Sequence, residues 1–142
     1  MTQPLAQAGA PLLVWGAGAI GGCVAAFLAR AGLDVIAVDV VAEHVERMRT
    51  AGLQIDGPVA QFTQVVRAAT PGELRGRFGR ILLAVKAQHT DAAVDALAPH
   101  LDEDGVVVSL QNGLNEHAIA ARIGRERTIA GLVNFAGDYL GP

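Results

Sequence analysis

The chain has 142 residues, with 11 Lys+Arg against 14 Asp+Glu, a net charge of -3, 51% hydrophobic residues and 18% charged ones. That suits one domain with a real core and is too apolar for a disordered chain. The lack of a basic run argues against a nucleic-acid-binding face, and aromatics at 4% leave little for base stacking. A single cysteine, Cys23, excludes a disulfide framework or a multi-thiolate metal site.

Residues 1–10 show no period and read as a flexible N-terminal arm, so residues 11–142 are expected to form the domain. Residues 11–29 carry no charge, nearly the length of a membrane span. Four glycines (Gly16, Gly18, Gly21 and Gly22) crowd that stretch and no Lys or Arg precedes it, which favours a soluble strand–turn–helix unit over a membrane anchor. A cytoplasmic protein without membrane or nucleic-acid partners is expected.

In chain order, a strand at 12–15 leads through the turn into a helix whose Val24, Phe27, Leu28 and Ala31 recur at helical spacing, closed by Gly32. A buried strand over 35–38 ends at Asp39. A helix over 42–51 follows, with Val45 and Met48 inward and Gly52 as its stop. Segments 53–55 and 59–62, joined by Asp56-Gly57-Pro58, predict a hairpin, and a further strand lies near 65–68. Thr70-Pro71-Gly72-Glu73 has the spacing of a capping box and predicts a short helix. Beyond it come a strand over 81–85, a helix over 87–98 with Val94, Leu97 and Ala98 inward, a strand over 106–110, a helix over 115–123 and a last strand over 129–135. Strands alternating with helices predict a doubly wound α/β domain, a Rossmann-type parallel sheet with helices on both faces. Ligands of such sheets sit beyond the carboxyl ends of the strands, which directs attention to the residues after Trp15, Val38, Val85 and Leu110.

Gly16-Ala17-Gly18-Ala19-Ile20-Gly21 follows a predicted strand and opens a predicted helix. Gly16 permits the tight turn, Gly18 lets the backbone approach a pyrophosphate, and Gly21 lets the helix pack close to the strand. The helix N-terminus offers N–H groups and partial positive charge to phosphates. The competing reading is an ordinary glycine-rich turn, and the strand–turn–helix context favours dinucleotide binding. Asp39 lies 23 positions after the first glycine, where a carboxylate accepts ribose hydroxyls and repels a 2′-phosphate. Residues 40–44 supply no Arg or Lys, so NAD is expected as the cofactor and NADP is the alternative; a plain helix-capping aspartate is the other reading. Cys23 has apolar neighbours and reads as a small buried hydrophobe. His44, His89, His100 and His117 show no ligand spacing; His89 borders the crevice and reads as a partly exposed helix residue, and no metal site is expected.

Val85-Lys86-Ala87 and Leu110-Gln111-Asn112-Gly113-Leu114 end the next two strands. With the loop at 16–22, these motifs resemble, in order and over nearly the whole chain, the N-terminal domain of the ketopantoate reductase (2-dehydropantoate 2-reductase) family. The resemblance implies hydride transfer from a reduced nicotinamide to a small-molecule 2-oxo acid, giving a 2-hydroxy acid. Lys86 and Asn112 become the candidate catalytic residues, with Lys86 near the nicotinamide ribose and Asn112 holding cofactor or substrate oxygen; Gly113 lets the backbone pass close. Val85 joins them at the cofactor. Family members often use NADP with a basic residue near the end of the second strand, whereas Asp39 stands here. The family's proton-donating lysine and a substrate-binding glutamate lie in a later helical domain, so the chain is expected to be a fragment that binds dinucleotide but catalyses little alone. A homodimer of the full-length protein is left open. Two other readings remain, a non-catalytic NAD-sensing module and a different 2-hydroxy-acid dehydrogenase of the same superfamily.

Overall fold

The computed structural model describes residues 11–111 and 115–131. The expected N-terminal arm at 1–10 therefore lies outside the described residues. Strands β1 (Leu12–Trp15), β2 (Val35–Val38), β5 (Arg67–Ala69), β6 (Phe78–Leu83), β7 (Leu101–Ser109) and β8 (Thr128–Ala130) form one six-stranded sheet in the order β5-β2-β1-β6-β7-β8. Every neighbouring pair in it is parallel. Helices α1 (Ala19–Arg30), α2 (Ala42–Thr50), α3 (Thr90–Leu97) and α4 (Glu116–Ile123) connect these strands, and β3 (Leu53–Asp56) with β4 (Gln61–Gln64) makes a separate antiparallel pair.

Alternation along β1 shows why the sheet is covered on both sides. Leu13 and Trp15 join Ile36, Val38, Ile81 and Leu83 in a cluster completed by Val94 and Leu97 of α3 and Ile119 of α4. Val14, pointing the other way, joins Ala37 with Ala25 and Ala26 of α1 and Val45 and Met48 of α2. Both faces are thus apolar, which is why β1 and β2 are wholly buried rather than alternating with polar residues. The acyclic order, with crossovers leaving β1 in opposite directions, is that of a Rossmann-type doubly wound sheet.

The expected helix face of α1 needs correction. Its buried residues are Gly21, Gly22, Ala25 and Ala26, while Phe27 is 37% exposed. Small side chains let the helix lie close to the sheet, and Phe27 instead meets Phe62 of β4 edge-on at 5.0 Å between ring centroids, with the Arg30 guanidinium over Phe62. The helix ends as the glycine signal required: Gly32 has φ +95, its N–H bonds Ala29 O, and the Leu33 N–H bonds Leu28 O. In α3 the inward positions are Ala93, Val94 and Leu97; Ala98 is exposed and opens a 3-10 turn.

Thr70-Pro71-Gly72-Glu73 forms a single turn instead of a helix. Half of the capping box is present, since the Glu73 carboxylate accepts the Thr70 N–H at 3.2 Å. The chain cannot wind onward because Gly76, at φ +92, redirects it two residues beyond Leu74, which is buried. That carboxylate also pairs with Arg49. The Thr70 amide first, and Arg49 second, hold the Glu73 carboxyl below the usual carboxylate range.

Three strand starts differ from the expected ones, one later and two earlier. The second hairpin strand starts at Gln61, leaving Val59 92% exposed. Strands β6 and β7 begin three and five residues before their uninterrupted apolar runs at Ile81 and Val106. The acidic Asp102-Glu103-Asp104 hid the start of β7; these side chains are exposed on a segment whose Leu101 pairs with Phe78 across a register shift. The last strand is described to Ala130, and the rest of the predicted 129–135 segment lies mostly outside the described residues. Among the described residues no helix is long and apolar enough to cross a membrane.

Candidate functional site

The carboxyl ends of β2, β1 and β6 stand side by side, joined by backbone bonds that continue the ladders one residue past the strands: Gly16 N–H to Val38 O at 2.7 Å and Ala84 N–H to Trp15 O at 2.8 Å. This brings Gly16–Gly21, Asp39 and Val85–Lys86 to one edge.

The three loop glycines have different physical reasons. Gly16 sits at φ +96, and a Cβ there would lie 2.8 Å from Val85 Cγ1. A Cβ on Gly21 would fall 1.7 Å from the Gly16 carbonyl oxygen, so the turn and the first helical turn cannot separate to admit one. Gly18 differs. Its φ is -79, it is exposed, and a Cβ there would meet nothing within 4 Å. Packing within the protein does not demand glycine at 18. Gly18 is also the N-cap of α1, makes no side-chain cap bond, and no acidic residue stands in the first turn. An N-terminus of this kind, which includes Ala19 and Ile20, directs N–H groups and positive potential at an anion.

Asp39 is half-buried and holds the loop from the next strand. One carboxylate oxygen accepts the Ala17 N–H at 3.0 Å, the other the Val41 N–H at 2.9 Å. Each oxygen has a second lone pair, so both retain capacity for a hydroxyl donor. The carbonyl of the same Ala17 receives His44 Nε2 at 2.7 Å. A carbonyl only accepts, so the Nε2 atom carries the proton. His44 is 5% exposed and Ala17 1% exposed, which makes this a buried pin under the loop. Treating all four histidines alike missed His44. A signal existed: position 44 lies four residues before Met48 and beside Val45, the face already identified as inward.

Lys86, the one lysine of the chain, is exposed after β6 and precedes a 3-10 turn over Ala87–His89. His89 is exposed as expected. Asn112 and Gly113 lie outside the described residues. Their neighbour Gln111 is described and half-buried, with its side chain across the ends of β6 and β7. Cys23 is half-buried rather than buried, and desolvation pushes its thiol above the ordinary range, the opposite of an activated thiolate. No three His, Cys, Asp or Glu side chains converge on a metal position among the described residues.

An open doubly wound sheet with a glycine turn at its central strand and an acid at the end of the next defines the class of Rossmann-type dinucleotide-binding folds. Within that class, residues 12–142 match the family model described as ketopantoate reductase PanE/ApbA, and the chain belongs to that family. Among curated relatives, a 2-dehydropantoate 2-reductase of Mesorhizobium japonicum is 36% identical over 103 residues, covering 72% of this chain and 32% of the relative. One of Pyrococcus horikoshii is 34% identical over 116 residues, covering 80% and 37%. The chain thus spans about a third of the length of these relatives. Among solved structures, a PanE/ApbA family ketopantoate reductase of Ralstonia eutropha is 28% identical with a TM-score of 0.79, over 94% of this chain and 44% of that one. The fold is shared as closely by a D-mandelate dehydrogenase solved with NADH and anilino(oxo)acetate, at TM-score 0.85 and 23% identity, over 94% and 44%.

Proposed function

We propose that this chain is the nicotinamide-dinucleotide-binding part of an oxidoreductase that reduces a 2-oxo acid to a 2-hydroxy acid, ketopantoate to pantoate or a close analogue. The observation that carries the reading is Gly18: an exposed glycine that no packing contact demands, capping the helix that follows the central strand. Membership of the ketopantoate reductase family supports the substrate class.

The described residues fit the group. Gly16–Gly21 would hold the diphosphate through backbone N–H groups and the α1 N-terminus. Asp39 would accept ribose hydroxyls with its remaining lone pairs and repel a 2′-phosphate, favouring NAD over NADP. When bound, the reduced nicotinamide supplies the hydride. Lys86, with Asn112 and Gly113 by sequence motif, is assigned to the nicotinamide end, where a fixed cation or amide stabilises the oxygen that gains negative charge. The 142-residue chain alone is expected to bind dinucleotide and to reduce little or no ketopantoate, the proton donor being assigned to a part of the whole protein beyond it.

Calorimetric titration of the folded chain with NADH and NADPH tests the reading. Saturable binding with NADH the tighter ligand is expected. No heat with either would overturn it, equal or tighter NADPH binding would overturn the NAD preference, and ketopantoate turnover by this chain alone would overturn its dependence on a further part.

A further inference from the structure

The polar side chains at the ends of β6 and β7 form a connected set. Thr90 and Ser109 are each 3% exposed, two of the three buried polar residues among the described residues. Between them lies the Gln111 amide. Its Nε2 atom donates to the Val85 carbonyl at 2.8 Å and to Thr90 Oγ1 at 2.7 Å, while Oε1 accepts from Ser109 Oγ at 3.2 Å. The orientation is fixed by chemistry: the Val85 oxygen cannot donate, so the amide nitrogen must face it.

The position of this set matters more than its strength. The Val85 carbonyl belongs to the peptide unit that delivers Lys86, and Asn112 follows Gln111 in the sequence. One side chain therefore spans the two chain segments that the proposed function puts at the nicotinamide end. Residues 86–89 are all exposed, so the core does not order them. Core packing of the two strands is already provided by Ile81, Leu83 and Val107.

We infer that Gln111 is a positioning residue for the nicotinamide half of the site, acting through the Val85–Lys86 peptide and anchored by Thr90 and Ser109. This deepens the proposed function and rests on it. In Gln111→Glu the length is kept but the donor facing the Val85 carbonyl is replaced by an acceptor. Thr90→Val removes the hydroxyl at constant shape, and Thr90→Ser restores it.

The test compares two ligands on the 142-residue chain and each variant: NADH, which reaches both halves of the site, and ADP, which reaches only the glycine loop and Asp39. Gln111→Glu and Thr90→Val are expected to weaken NADH about tenfold while ADP stays within about twofold, and Thr90→Ser to keep near-original NADH affinity. Equal loss for both ligands, or unchanged NADH affinity, would overturn the positioning role and leave the proposed function standing. If the unaltered chain bound neither ligand, both would fall. Should Gln111→Glu fail to fold, the threonine pair decides by the same criterion.

Discussion

The amide of Ala17 lies 3.0 Å from a carboxylate oxygen of Asp39, 22 positions later in the chain. The carboxylate that would hold a ribose is therefore also what fixes the loop that would hold the diphosphate. The two halves of the adenosine end are one mechanical unit, with His44 closing it from below through the Ala17 carbonyl.

Replacing Asp39 with alanine removes both charge-assisted bonds to Ala17 and Val41. NADH affinity should fall by on the order of tenfold to a hundredfold, because hydrogen bonds to charged groups contribute about 1.5–3 kcal/mol. NADPH should fall less, since repulsion of the 2′-phosphate goes too. Titration of both cofactors checks this; a constant ratio between them would contradict the discrimination assigned to Asp39.

Gly18 and Gly21 should separate binding from folding. A Cβ at 18 would meet no protein atom within 4 Å, so Gly18→Ala should shift the urea midpoint far less than Gly21→Ala while NADH binding drops about tenfold. Gly21→Ala should cost about 2 kcal/mol of stability or more, because its Cβ would overlap the Gly16 carbonyl. Urea unfolding and calorimetry on the same samples distinguish the two.

His44→Phe keeps the bulk and leaves the buried Ala17 carbonyl without the 2.7 Å bond. A loss of about 1–3 kcal/mol in unfolding free energy is expected. His44→Gln, which retains a donor, should recover part of it.

The uniqueness of Lys86 permits a chemical test. Acetylation of the folded chain, located by mass spectrometry, should be slowed several-fold at Lys86 by NADH and little by ADP. Equal protection by the two would remove Lys86 from the nicotinamide end.

Glu73 gives the pH dependence its sign. Its folded-state carboxyl is held below its ordinary value by the Thr70 amide and Arg49. The associated stability is therefore fully present above the usual carboxylate range and is lost as pH falls through the depressed value. Glu73→Gln should shrink the drop in Tm between about pH 7 and about pH 3. The group is exposed, so the effect should be small and weaken with added salt.

Wherever local chemistry decided the outcome, the letters were legible. The runs Leu12–Trp15 and Val35–Val38 are strands because both faces are covered, and an unbroken apolar run already states that. Gly32 and Gly52 stop α1 and α2 because φ +95 and +92 strain any residue with a Cβ. The glycine turn and the acid at 39 were recognisable by spacing, since the strand–turn–helix geometry fixes which positions can approach one another. The errors arose where neighbours distant in sequence set the answer. Phe27 has the period of a core residue, yet Phe62 of the hairpin takes it outside. Thr70-Pro71-Gly72-Glu73 is the local exception: it has a helix start, and Gly76, three residues on, ends it after one turn.

By itself, then, the order of residues determined the α/β class, the central strands, the loop with its acid and the family. Those follow from backbone conformation and hydrophobic period, which act over a few residues. Only the tertiary structure decided that Asp39 and His44 grip opposite sides of one Ala17 peptide unit, that Gly18 is open while Gly21 is closed, and that Gln111 bridges two strand ends. The hydrogen bonds among these relationships join segments 20 or more residues apart, and the glycine contrast depends on how closely the first helix lies on its own turn, neither of which a local period encodes.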